Sequence, residues 1–147
     1  MTLRRALHAL VLLACLAPIA RAGDGPAEVR QAAQSVGQAL QAKQTGALRK
    51  LLPQKGKVEL SLARLGPEDG AFAPPQVEAL FRDFLASGSV RSFEVVRVEG
   101  ECKVHGVAHA RAALVDRQGS PARVGLHLTF QLEEGRWVLR GMRETAE

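Results

Sequence analysis

The chain of 147 residues carries 20 Lys and Arg against 15 Asp and Glu, a formal net charge of +5. This length fits one modest domain, and contents of 46% hydrophobic and 24% charged residues are typical of globular proteins, which excludes wholesale disorder. No apolar run reaches the roughly 18 residues of a membrane-spanning helix, so no membrane span is expected.

The N-terminus predicts a secretory signal peptide over residues 1–22. Two arginines precede an apolar stretch that ends at Ile19, and Ala20-Arg21-Ala22 supplies small residues around a cleavage site. A buried N-terminal helix is the alternative, but Gly and Pro end the pattern abruptly. We therefore expect an exported protein, periplasmic or extracellular, whose residues 23–147 form a single domain.

Processing would also change the charge and the cysteine content. Removing the three arginines of residues 1–22 from the 20 basic residues leaves 17 against 15 acidic ones, a net charge of +2. A charge this small, without a Lys/Arg cluster, argues against nucleic-acid binding. Only Cys102 would remain, which excludes an intramolecular disulfide.

In a second processing route, Leu12-Leu13-Ala14-Cys15 resembles a bacterial lipobox and Cys15 would carry a lipid anchor.

Two helices and a strand are predicted in the first half of the remaining chain. Apolar residues recur at three- and four-residue steps from Pro26 to Gln44, which predicts an amphipathic helix. Thr45 is the expected N-cap of a short helix from Ala47 to Leu52. Alternation from Val58 to Leu62 predicts a half-buried strand, and residues 65–73, which contain Gly and Pro, predict a loop.

The second half changes from helical to strand periodicity. Pro74 and Pro75 open a third helix, which Gly88 ends. Four antiparallel strands are expected next, at Val90–Glu99, Cys102–Asp116, Arg123–Glu133 and Arg136–Glu144.

The last hairpin determines which face of the sheet is apolar. A two-residue turn at Glu134-Gly135 would pair Leu132 with Trp137, Phe130 with Leu139 and Leu128 with Gly141. The strand before this hairpin would join the same face through Cys102, Val104, Ala108, Ala110, Ala112 and Leu114. The predicted fold class is α+β, with the N-terminal helices packed on a curved, mainly antiparallel sheet.

This order of elements resembles the nuclear transport factor 2-like superfamily, whose fold is the cystatin-like cone. The resemblance is closest to an uncharacterised family of small exported bacterial proteins. The residues that carry it are Gly46-Ala47-Leu48, Leu51-Leu52, Val58-Glu59-Leu60, Gly70-Ala71-Phe72-Ala73, Gln76, Phe84-Leu85, Ser92-Phe93-Glu94-Val95, Gly106, Trp137-Val138-Leu139 and Arg143. Ala73 departs from the family's usual serine, so weaker capping of the third helix is expected.

The resemblance implies two classes of function. Superfamily members include isomerases, dehydratases and polyketide cyclases, which place acid or base groups in the cone pocket. Asp83 on the third helix is the one carboxylate considered for such a role, although Asp is by default a solvated residue. The sequence favours a non-catalytic binding or interaction module over a small-molecule enzyme. It assigns no catalytic residue and no cofactor.

An apolar small ligand is the expected occupant if the cone encloses a pocket. Six aromatic residues are candidates to line it, or else to fill the core: Phe72, Phe81, Phe84, Phe93, Phe130 and Trp137.

A zinc site is not expected, despite the closely spaced Cys102, His105 and His109. Cys102 and His105 point to opposite faces of a strand, and His105 lies roughly 13 Å from His109 along it. His109 and His127 could approach each other near-diagonally across a hairpin, but their expected neighbours include no carboxylate. A bulge at Gly106 would be needed to change this geometry.

The opposite, convex face of the sheet is predicted to be mainly polar. It would carry His105, His109, Arg111, His127, Thr129, Gln131 and Arg140, interrupted by Val107, Val138 and Met142. Sheets of this superfamily often dimerise through such a face, and its mixed character suits a symmetric contact. We therefore predict a homodimer through the outer sheet face, with a solvent-exposed face as the alternative.

Overall fold

The computed structural model describes residues 25–66, 69–100 and 103–146. The expected signal peptide and Cys102 lie outside these residues. In chain order the elements are α1 (Gly25–Gln41), α2 (Thr45–Lys50), β1 (Val58–Ser61), β2 (Asp69–Phe72), α3 (Pro74–Ser87), β3 (Ser89–Glu99), β4 (His105–Val115), β5 (Pro121–Glu133) and β6 (Arg136–Thr145).

The strands form one six-stranded sheet in the order β2-β1-β6-β5-β4-β3. All neighbouring strands are antiparallel except β1 and β6, which are parallel. The helices pack on one side of this curved, unclosed sheet, and their apolar residues join those of the strands in one core. The predicted α+β fold class is confirmed. Within the described ranges, no helix is both long and apolar enough to cross a membrane.

The long first helix packs as its periodicity predicts. Val29, Ala33, Val36 and Leu40 are buried and form the stripe that faces the sheet. The opposite side of α1 is polar, so burial of this single stripe is what stabilises the helix on the sheet.

The predicted cap of the second helix was wrong. Thr45 is the first residue of α2, while Gln44 occupies the N-cap position and makes no side-chain capping bond. At α3, Ala73 likewise lacks a capping side chain, but its backbone N–H donates to Oε1 of Gln76 over 2.9 Å. Gln76 thus supplies one half of a capping box, which compensates in part for the missing serine.

Two strand boundaries also differ from the prediction. Residues 69–72, predicted as part of a loop, form β2, which pairs antiparallel with β1. This edge strand is short and mostly exposed, so it lacks the apolar alternation that marks a strand in sequence. Val104, predicted to face the core, lies in a turn before β4 and is 44% exposed.

The register of the last hairpin is confirmed for two of the three predicted pairs. Leu132 pairs with Trp137 and Phe130 with Leu139, across a turn in which Glu134 and Gly135 both have positive φ. Leu128, however, pairs with Met142 rather than with Gly141, because a β-bulge inserts Arg140 opposite the Thr129/Phe130 step. Met142 therefore faces the core and is buried, which corrects its predicted place on the convex face.

Candidate functional site

The six aromatic residues proposed as pocket lining lie on the helix-covered side of the sheet or on α3. Phe81, Phe84 and Phe130 are fully buried in the core, and Phe72, Phe93 and Trp137 are partly buried against it. Phe72 and Phe93 belong to β2 and β3, the two edge strands, about 24 Å apart at the usual strand spacing. The set thus includes residues on both edge strands of the sheet.

Helix α1 lies directly on the sheet at two glycines. A β-carbon built on Gly37 would stand 2.2 Å from Cδ1 of Phe93, and one on Gly106 would stand 2.4 Å from Cγ2 of Val29. Both positions therefore depend on the absence of a side chain. At these points α1 packs closely on strands β3 and β4.

Trp137 is partly buried. It lies at the start of α1, where its ring edge approaches Gly25 and its Nε1 donates to Oε2 of Glu28 over 2.8 Å. The polar edge of the indole thus remains at the surface, while its apolar body packs on the core.

Ionisable side chains avoid the core in the part of the chain that the structure describes. No polar or charged side chain there is fully buried. Asp83, the carboxylate considered for acid–base chemistry, lies on the exposed side of α3.

Polar and charged groups gather on the other side of the sheet. We define the outer face as the side of β1 and β3–β6 that the helices do not cover. By strand register it carries Glu59, Ser61, Glu94, Arg97, Glu99, His105, Val107, His109, Arg111, His127, Thr129, Gln131, Val138 and Arg143. Charges of both signs alternate with small and apolar residues.

Two histidines meet near the middle of the outer face. His109 and His127 are direct partners on β4 and β5, and their ring centroids are 4.9 Å apart in an edge-on arrangement. They were expected to be near-diagonal neighbours; the direct pairing follows from an unshifted β4–β5 register, with no bulge at Gly106.

The neighbouring strand β3 brings a carboxylate to this pair, which the sequence does not predict. Oε1 of Glu99 lies 3.6 Å from Nε2 of His109 and 2.9 Å from Nη2 of Arg97. The same Arg97 nitrogen lies 3.3 Å from Nε2 of His109. Within the described chain no group of three His, Cys, Asp or Glu residues is arranged to hold a metal ion.

The environment of His127 disfavours its charged form. Partial burial lowers the pKa of His127 below its ordinary value, and the positive charges of His109 and Arg143 act in the same direction. Glu99 acts in the opposite direction, more weakly. This imidazole is therefore held neutral to lower pH than a free histidine.

The bulge at Arg140 shapes two clefts in the outer face. The central cleft, about 210 Å³, is lined by Glu59, Leu60, Ser61, His127, Thr129, Gly141, Met142 and Arg143. The second cleft, about 350 Å³, is lined by Lys57, Glu59, His105, Thr129, Phe130, Gln131 and Arg140. Of the residues predicted on this face, Val138 is fully buried despite its outward register.

Arg140 itself is anchored to the chain before β1. Its Nη1 donates to the carbonyl oxygens of Lys55 and Lys57 over 3.2 and 3.3 Å, and its Nη2 is bonded to Glu133. Gly56 has a φ of +87°, and a β-carbon there would stand 2.7 Å from Nη1 of Arg140. The guanidinium thus ties the second cleft to the segment before β1.

Comparisons with known proteins identify the fold. No protein-family model matches the chain, and no curated protein matches it. Among solved structures, an NTF-2 like protein of unknown function from Shewanella oneidensis is 13% identical, with a TM-score of 0.63 over 82% of this chain and 98% of that one. A DUF4783 family protein from Bacteroides uniformis is 19% identical, with a TM-score of 0.58 over 78% and 97%.

A third structural relative has a name that refers to an enzyme. A ketosteroid isomerase-like protein from Erwinia carotovora atroseptica is 10% identical, with a TM-score of 0.65 over 85% of this chain and 99% of that one. At these identities the likeness shows the fold alone. The chain has the NTF2-like, cystatin-like cone fold, and the fold that the resemblance implied is confirmed.

Proposed function

We propose that this protein is an exported, non-catalytic interaction module that associates with a second copy of itself through the outer face. The observation that carries this proposal is the central cleft, which the side chains of Glu59 and Arg143 border with opposite charges. An apolar small ligand on the concave side is a further part of the proposal.

The size of the outer face supports a second copy as its occupant. Strands β3–β6 are 10 to 13 residues long. At the usual spacings they cover roughly 20 Å by 35 Å, or about 700 Å². A standard protein–protein interface takes about 800 Å² from each partner, so this face is of suitable extent.

The charges of the central cleft are self-complementary. Glu59 lies on β1 opposite Gly141, and Arg143 lies on β6 opposite Ser61, so both side chains border one cleft with opposite charges. A two-fold axis through this cleft would bring Glu59 of each copy to Arg143 of the other. Such an isologous contact gives two equivalent ion pairs without needing a second kind of surface.

Sedimentation equilibrium at pH 7.5 tests the association. We expect a dimer whose dissociation constant rises at least about tenfold in Glu59→Arg, because two cross-copy attractions become repulsions. Asp83→Arg is the matched control: it makes the same change of charge on the exposed side of α3 and should leave the constant unchanged. A monomeric wild-type protein at 100 µM, or equal effects of both variants, would contradict the proposal.

The apolar ligand has its own test at Trp137. This residue is the single tryptophan of the chain and is partly exposed beside the start of α1. Titration with a medium-chain fatty acid should change its fluorescence emission saturably if the concave side accepts an apolar chain there. Emission that stays constant over the titration would argue against this ligand class while leaving the self-association untouched.

A further inference from the structure

We propose that the His109–His127 pair makes the association of two copies pH-dependent, so that the dimer forms at neutral pH and dissociates on mild acidification. The inference rests on the self-association proposed above. It follows from where the pair lies: His127 lines the central cleft together with Glu59 and Arg143, so a second copy seated there covers this imidazole.

The contact of His109 with Arg97 suits a neutral imidazole. Arg97 donates toward Nε2 of His109, and since a guanidinium has no acceptor, this bond requires an unprotonated Nε2. If His109 were protonated, its hydrogen bond from Arg97 would be lost and the two positive charges would repel each other. The nearby Glu99 offers limited compensation, because Arg97 already engages its carboxylate at 2.9 Å.

Positive charges on β3, β4 and β6 would oppose the protonation of both histidines at once. With the ring centroids 4.9 Å apart, two imidazolium ions would repel each other directly. Arg111 on β4 and Arg143 on β6 share the face with them, as does Arg97 on β3. Glu99 and Glu94 on β3 and Glu59 on β1 are the acidic groups there, and Glu94 lies opposite Arg111.

Dimer formation strengthens this opposition. A residue that lines a cleft crossed by a two-fold axis lies near its own symmetry mate, so the two copies bring four imidazoles together and exclude water from them. Both effects disfavour protonation in the dimer relative to the monomer. Protons are therefore released on association. Affinity is complete above the pKa of His127 in the monomer and falls as the pH drops from there toward the lower pKa of His127 in the dimer.

The experiment compares the dissociation constant of the dimer at pH 7.5 and pH 5.5, where exposed glutamates are still ionised. We expect it to rise about tenfold at pH 5.5, since the dimer contains two copies of His127 and each excluded proton changes an equilibrium constant by up to about tenfold per pH unit. In the double variant His109→Gln/His127→Gln, the difference between the dissociation constants at the two pH values should disappear. His105→Gln is the matched control, on the same strand and face but without a histidine partner, and should keep it.

The outcomes separate this inference from the proposal on which it rests. A wild-type dimer with equal constants at both pH values overturns the pH dependence alone, and so does loss of the dependence in His105→Gln. A monomer at pH 7.5 overturns the association itself.

A second measurement covers the case in which the double variant does not dimerise. In the wild-type protein, the NMR titration midpoint of the His127 imidazole should move to lower pH as the protein concentration is raised through the dissociation constant. A midpoint that does not change with concentration overturns the inference.

Discussion

At the scale of single residues, two glycines allow α1 to lie close to the sheet, because neither has a side chain that would hold the helix away from it. Gly37 faces the ring of Phe93, and Gly106 faces Val29 from the opposite direction. A glycine in the interior of a helix lowers helix stability by about 1 kcal/mol relative to alanine. The presence of glycine at position 37 is therefore explained by its contact with Phe93 and not by helix propensity.

Gly37→Ala is therefore expected to lower the free energy of unfolding, by about 1–3 kcal/mol, although alanine is the better helix former. A urea titration measures this change. Gly46→Ala is the matched control: Gly46 also lies in a helix, its φ is not positive, and nothing lies within 4 Å of an added β-carbon. This variant should be neutral or more stable. A stabilised Gly37→Ala would show that α1 does not lie this close to β3.

The strand pairs that could be predicted correctly from the sequence are those whose two residues lie close together along the chain. Leu132 and Trp137 flank a two-residue turn, so their pairing follows from the turn alone. The Glu99–His109 approach was missed because it depends on two bulges in β3, one of them between Val95 and Arg97, that shift which residues share a face. No pattern of apolar residues marks those bulges.

At the scale of elements, the bulge in β6 decides both the core and the outer face. Trp137 and Leu139 face inward with a period of two, and then Met142 faces inward after a step of three. That odd step between two large apolar residues is a signal that the sequence does contain. Its structural cause, the bond of Arg140 to the segment before β1, could not be predicted because it joins residues 83 or more positions apart.

Arg140→Ala should destabilise the fold by about 2–3 kcal/mol, because it removes a charged donor from two carbonyl oxygens and from Glu133. Thermal unfolding followed by circular dichroism measures the loss. The control is Arg136→Ala on the same strand, where an exposed guanidinium donates to one carbonyl oxygen, that of Lys50. We expect a change below about 1 kcal/mol there. Equal effects at the two positions would mean that Arg140 does not anchor the bulge.

Side chains of helix α1 cover part of the free edge of strand β3, where another strand would otherwise pair. Arg30 donates to the carbonyl oxygen of Val95, and Gln41 to that of Arg91, both beside the β3 bulges. Together the bulges and these side chains make the edge a poor template for pairing with another strand. The interaction we propose accordingly uses the face of the sheet and not its edge.

At the scale of the whole molecule, the division between an apolar concave side and a mixed outer face is what links fold to function. The alternation in β4 and β5 predicted this division, since one face of each strand is consistently apolar. The edge strand β2 and the parallel pairing of β1 with β6 were not foreseen, because both depend on segments far apart in the chain.

Export remains a prediction of the N-terminal sequence. The intact mass of the protein from its native host should correspond to a chain that begins at Gly23. Ala22→Leu, which replaces the small residue before the expected cut, should keep the N-terminal segment attached. A retained Met1 in the wild-type protein, or a lipid-modified chain that begins at Cys15, would contradict cleavage after Ala22.

The most direct test of self-association through the outer face is the double charge reversal of its central cleft. Glu59→Arg and Arg143→Glu should each weaken the dimer at least about tenfold at pH 7.5, and the double variant should recover most of that loss, because the two ion pairs form again with their signs exchanged. Sedimentation equilibrium of the wild-type protein and the three variants measures this. A double variant that associates no better than the weaker of the two single variants would contradict the contact that we propose.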